Sequence, residues 1–166
     1  PDVPEGRLAS ESPRDYVQQV ACDKAQAGLR LAAALGAAGL PILAADTEVV
    51  LDAEVLGKPA DRAAGLAQLR RLAGRTHEVM TALCLLHGGA RHTAINISRV
   101  TFGPLSEAQI QAYWDSGEAQ DKAGGYGIQG RAAAFIAHLD GSYSAVMGLP
   151  LYELTQILGK IGIDAP

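Results

Sequence analysis

The feature that most constrains this chain is a short apolar run, Pro41-Ile42-Leu43-Ala44-Ala45, that stops abruptly at Asp46-Thr47. A run this short and this apolar is the pattern of a buried strand, here one whose C-terminal end carries polar residues. Immediately downstream, Val49-Val50-Leu51 and Glu54-Val55-Leu56 flank Asp52-Ala53 and predict a hairpin, closed by Gly57-Lys58-Pro59. His77 to Leu86 and Thr93 to Phe102 read as two more strands around Gly88-Gly89, and an apolar stretch from Ala132 to Leu139 as another.

Helices are announced by their ends. Ser12 is placed to cap a helix with Pro13 at its first position and Asp15 at the positive end of the dipole. Val17, Val20, Ala21, Lys24, Ala25 and Leu29 follow at helical spacing, so Lys24 borders the apolar face. Asp61 caps a helix that buries Leu66, Leu69 and Leu72 and stops at Gly74. Ser106 with Gln109 forms a capping box for a helix reaching about Ser116, and Gly148-Leu149-Pro150 precedes a final helix through Leu158. Hairpins and crossover helices together predict one α/β domain with a mixed sheet spanning residues 1–166. A chain of 166 residues with 48% hydrophobic content can bury one good core and gives no reason to expect two.

Charge and cysteine usage narrow the function. A net charge of -4 argues against electrostatic grip on polymeric nucleic acid but leaves room for a small anion held by a few lysines. Cys22 and Cys84 lack paired spacing and read as buried free thiols of a reducing compartment. No apolar run approaches the ~20 residues of a membrane helix. These features together predict a soluble cytoplasmic protein.

Two motifs carry little. Gly125-Tyr126-Gly127-Ile128-Gln129-Gly130 fits G-x-G-x-x-G, but polar residues rather than a strand precede it, against a dinucleotide-binding turn. His87 and His92 sit across a hairpin with no third ligand for zinc. The chain has neither a P-loop nor a G-x-S-x-G elbow. What remains is Asp46, Glu5, Lys24, Lys58 and Lys122. Carboxylates that hold a divalent metal or align a water, and ammonium groups that neutralise phosphate, are what triphosphate hydrolysis needs. Taken one by one, Asp46 also suits a turn cap, the lysines a solvated face and the Ala123–Gly130 stretch a plain loop.

In combination the motifs are far more specific. Ala44-Ala45-Asp46-Thr47-Glu48-Val49-Val50 with Gly57-Lys58-Pro59 resembles the (G/A)-(A/S)-D-T-x-V…G-K-P segment of the Maf family of house-cleaning nucleotide pyrophosphatases. Thr76 to Thr81, Asp121 to Gly130, Gly141-Ser142-Tyr143 and Val146 to Leu151 resemble that family's H-x-V-x-T, D-K-A-G-x-Y-x-I-Q-G, G-S-Y and V-x-G-L-P-L segments, in order. The resemblance implies a curved mixed sheet with flanking helices and two lobes around a cleft, often in a homodimer. It implies hydrolysis between the α- and β-phosphates with a divalent cation, Mg or Mn.

By matching positions, the resemblance assigns Asp46 to activate the attacking water, Lys24 and Lys58 to the phosphates, and Glu5 with Asp46 to the metal. Asp46-Thr47 and Ile128-Gln129-Gly130 match the branch acting on dTTP and UTP rather than the sister branch acting on methylated GTP. Thr47, Gln129 and Lys122 are then the substrate-binding positions, since a hydroxyl and an amide both donate and accept along a pyrimidine edge.

One departure stands out. The family opens with a strand leading to L-A-S-x-S-P-R-R. Leu8 to Arg14 imitates that motif, yet Asp15-Tyr16-Val17 and Lys24 align this stretch with the later E-S-P-x-D-Y-V helix start. The expectation is a chain without that strand and phosphate loop, about one βα unit, and with weak or no catalysis if nothing precedes it. A non-catalytic nucleotide-binding module acting through a partner, in keeping with the family's link to inhibition of septum formation, is the alternative, and a purely structural α/β domain a third reading.

Overall fold

A computed structural model describes residues 11–164. Five strands form one sheet in the order β2-β1-β3-β4-β5: β1 (Ile42–Leu51), β2 (Glu54–Leu56), β3 (Thr76–His87), β4 (Ala90–Phe102) and β5 (Ile136–Asp140). Helices α1 (Pro13–Ala34), α2 (Arg62–Leu72), α3 (Glu107–Asp115), α4 (Tyr143–Val146) and α5 (Leu151–Lys160) flank it. The α/β class expected from the sequence stands. The described strand pairings are all antiparallel, so the parallel component of a mixed sheet is not found among them. Short turns account for this: β1–β2 and β3–β4 are joined by two-residue connections, which force antiparallel neighbours.

Strand β3 is buried on both faces because helices cover both. Its even positions Met80, Ala82, Cys84 and Leu86 meet Val17, Ala21 and Ala25 of α1, whose alanines let the helix lie close. The opposite face carries two apolar clusters. Val49, Leu51 and Val79 pack with Leu66, Leu69, Trp114 and Phe102 at one end, and Leu83 and Leu85 pack with Ile157 of α5 at the other. Between them sit Thr47 and Thr81, paired in register. No described helix is long and apolar enough to cross a membrane.

Several boundaries differ from the sequence reading. Strand β1 does not end at Asp46-Thr47 but runs through to Leu51, because β3 pairs with it continuously from Ile42 to Val50. Strand β4 begins at Ala90 rather than Thr93, since Gly88 and Gly89 (φ 56° and 80°) turn the chain in two residues. The apolar stretch from Ala132 opens as a 3-10 turn, Arg131–Phe135, which buries Ala132 in the core. Only Ile136–Asp140 forms a strand, paired to β4 alone. The caps at Ser12, Asp61 and Ser106 are as expected, the last with its capping box.

The cysteines also differ. Cys22 is half-buried and lies against buried Cys84 across the α1–sheet contact, and both are free. Burial, and secondarily the contact with Cys22, push the Cys84 thiol up to about 12. His87 and His92 are not partners: His87 pairs with Ala90, and His92 with Leu85. Among the described residues no cluster of three metal-binding side chains occurs.

Candidate active site

Strand β2 pairs only with Val49–Leu51, so the Ile42–Glu48 stretch of β1 has no described strand on that side. A cavity of about 270 Å³ opens there. Its wall brings together five of the expected residues, Asp46, Thr47, Lys58, Lys122 and Gln129, with Asp121, Tyr126 and Met147 among the others.

Asp46 and Thr47 are successive residues of a strand, so they leave β1 on opposite faces. Asp46 is 9% exposed and turns toward α1, where Lys24 Nζ donates to its Oδ1 at 2.6 Å. Lys24 does not line the cavity; it stands behind Asp46, inside α1, with its side chain partly shielded. A partly buried carboxylate needs such a partner, because taking an unpaired charge from water is costly. Thr47 faces the other way, and its hydroxyl lies 2.9 Å from that of Thr81. Glu5 lies outside the described residues.

The remaining groups come from loops tied to the sheet. Lys58 follows Gly57, whose carbonyl oxygen accepts from the Gln68 side chain (3.0 Å) and from Gly124 N–H (3.2 Å). That second bond joins the Gly57-Lys58-Pro59 turn to the glycine-rich loop. Gly124 has φ 67° and sits so close to β1 that a Cβ there would stand 2.9 Å from the Val49 side chain, so this position needs glycine on two counts. Farther along, Gly127 N–H donates to the Tyr113 hydroxyl (3.2 Å), while Lys122 Nζ donates to Asp121 Oδ1 (2.9 Å). Hydrogen bonding to Lys122 holds the Asp121 carboxyl below its usual range, with the charges of Lys122 and Lys58 acting in the same direction.

Under the loop, Tyr126 and His77 form a buried pillar. His77 Nε2 and the Tyr126 hydroxyl are 2.7 Å apart, and both rings meet Phe102 edge-on. Burial pushes His77 down to about 4 and the Tyr126 hydroxyl upward. This imidazole is therefore neutral at pH 7 and acts as a strut. Sequence reading missed Asp121 and this pillar as parts of the site. The D-K and H-x-V-x-T segments were its available signals, but a loop aspartate and a strand histidine carry no spacing that ties them to Asp46.

Chemically the cavity offers a shielded carboxylate, two ammonium groups on loops, and a hydroxyl and an amide. This set suits a ligand with both polyanionic and hydrogen-bonding parts. As to a divalent cation, the described donors are hard carboxylate oxygens, Asp46 and Asp121. One or two carboxylates completed by phosphate oxygens is a usual Mg environment, so the donor set fits one.

Comparison with known proteins gives a consistent result. A family model described as Maf-like protein matches residues 1–161. A dTTP/UTP pyrophosphatase of Xanthomonas oryzae pv. oryzae is 54% identical over 162 residues, covering 97% of this chain and 85% of that protein. One from Alkalilimnicola ehrlichii is 50% identical over 165 residues, 99% of this chain and 81% of the relative. Another from Bordetella avium is 48% identical over 166 residues, 100% of this chain and 83% of the relative.

Proposed function

The chain belongs to the Maf-like protein family, and on that premise we propose that it hydrolyses dTTP and UTP to the monophosphate and pyrophosphate. The observation that carries the reading is the gathering of Asp46, Thr47, Lys58, Lys122 and Gln129 around one cavity at the open side of β1. The relatives named dTTP/UTP pyrophosphatase support the choice of substrate.

In this reading Asp46 aligns a water and takes its proton as the oxygen attacks the α-phosphorus. The bond to the bridging oxygen breaks, and pyrophosphate leaves with the electron pair. Lys24 holds the Asp46 carboxylate in one orientation, so the base is preorganised. Lys58 and Lys122 neutralise the phosphate chain, and Thr47 and Gln129 meet the base. A divalent cation, held by Asp46 and, as the family pattern implies, Glu5, would supply charge stabilisation to the phosphates. Action in the cytoplasm and assembly as a homodimer belong to the same proposal; sedimentation checks the dimer.

Pyrophosphate release from dTTP, UTP, CTP, GTP and methylated GTP with Mg or Mn tests it. Release from dTTP and UTP above the rest is expected. Silence across the panel would leave a nucleotide-binding module without catalysis as the better account.

A further inference from the structure

We propose that Thr81 is a positioning residue that fixes Thr47 as a hydrogen-bond acceptor toward the cleft. It thereby selects a base that presents an N–H there, uracil or thymine, over cytosine. The inference rests on the nucleotide reading of the cleft and adds to it the polarity of one contact.

A threonine hydroxyl has one proton to give and two lone pairs. Thr81 is fully buried, and its Oγ1 lies 2.7 Å from the Ala145 carbonyl oxygen. A carbonyl only accepts, so the single Thr81 proton is committed to it. Thr47 Oγ1 is 2.9 Å from Thr81 Oγ1. With the Thr81 proton spent, Thr47 must be the donor in that contact, and its own proton points inward. The Thr47 hydroxyl makes no other hydrogen bond among the described residues, and it lines the cavity. Lone pairs alone remain for a ligand.

The surroundings hold this chain in place. Ala145 belongs to α4, where Ser142 caps its N–H at 3.2 Å, and its carbonyl also accepts from Gly148 N–H at 2.9 Å. Gly148 has φ 109°, and a side chain begun there would stand 3.6 Å from Thr47 Oγ1 and cover it. The bare glycine leaves the hydroxyl reachable.

Uracil and thymine present acceptor, donor, acceptor along O4, N3–H and O2. Cytosine presents donor, acceptor, acceptor along its amino group, N3 and O2. A fixed acceptor meets N3–H favourably and the N3 lone pair of cytosine unfavourably. Gln129, exposed at the cavity, can turn its amide to serve either base, so it does not discriminate by itself. A hydroxyl whose proton is committed elsewhere does.

The test compares wild type, Thr81→Val and Thr81→Ser. Valine keeps the shape and removes the acceptor, while the Ala145 carbonyl still has Gly148 N–H. Serine keeps the relay. Dissociation constants for α,β-methylene UTP and α,β-methylene CTP are measured by calorimetry, with melting curves to verify folding. The uracil preference is expected to fall about tenfold in Thr81→Val, the worth of one hydrogen bond, and to survive in Thr81→Ser. Should the valine variant unfold, Thr81→Ala carries the same comparison. An unchanged preference without the hydroxyl would overturn the proposal, as would its loss in Thr81→Ser or failure of the wild type to bind either analogue. Turnover is recorded separately. Preferences that shift as expected without any pyrophosphate release would remove the hydrolase reading and leave this one standing.

Discussion

Asp46 and Thr47 are adjacent in the chain, yet they face different worlds. On the α1 face, Asp46 is bound to Lys24 and the contact is charge against charge. On the opposite face, Thr47 meets Thr81 and then the Ala145 carbonyl, a chain of neutral hydrogen bonds at the seam between two apolar clusters. The alternation of a β-strand achieves this separation within one residue step. The charged pair suits work on water and phosphate, where charge develops. The neutral chain suits reading a base, where the direction of a proton matters more than charge. Each face is held in a way that matches: the first by an ion pair, the second by packing and fixed hydrogen-bond direction.

The strongest attempt to break this contrast is Asp46→Asn. Pyrophosphate release should fall about a thousandfold while affinity for α,β-methylene UTP stays within a few-fold. Equal loss of both would show that the two faces do not divide chemistry from binding. The packing side is probed at Gly65 in α2, where a Cβ would stand 1.8 Å from the Trp114 ring, far closer than two carbons can approach. Gly65→Ala should therefore destabilise by about 3 kcal/mol in urea titration. Helix propensity alone would give a gain of about 1 kcal/mol, so the sign decides.

A third test uses acid. His77 is buried and neutral on the Thr47 face, lowered from 6.5 to about 4. Below pH 6.5 the unfolded chain takes up a proton that the folded one refuses, so stability is lost as pH falls from 6.5 toward 4. The expected loss is about 2 kcal/mol between pH 7 and 5, and His77→Gln should remove that part of the slope in denaturant titrations. The smallest effect is at the far end of β1, where Asp52 and Ala53 form the hairpin turn with φ 54° and 64°. Glycine is at ease in that conformation and alanine is not. Ala53→Gly should raise stability by about 1 kcal/mol and leave nucleotide preference unchanged.

Much of this molecule is legible in its sequence wherever the cause is local. Ser12, Asp61 and the Ser106–Gln109 pair start helices through bonds spanning three residues, and Gly88-Gly89 turns a hairpin by itself. The motif order likewise pointed to Asp46, Thr47, Lys58, Lys122 and Gln129, which share one cavity. Other features could not be read this way. The Ala132 stretch is apolar enough for a strand, but its first half turns to bury Ala132 in the core. Lys24 was legible as a residue at the border of a helix face, not as the partner of Asp46.

The sequence alone determined where elements begin, which positions alternate and which chemical groups are present, because those follow from backbone preferences over a few residues. The tertiary structure decided what covers each face of β1. It set Lys24 against Asp46, gave Thr47 the hydroxyl of Thr81, and laid Trp114 over Gly65. These contacts join residues 22, 34 and 49 positions apart, and a strand's period of two says only that neighbours point to opposite sides. Which helix arrives on which side depends on the packing of the whole chain.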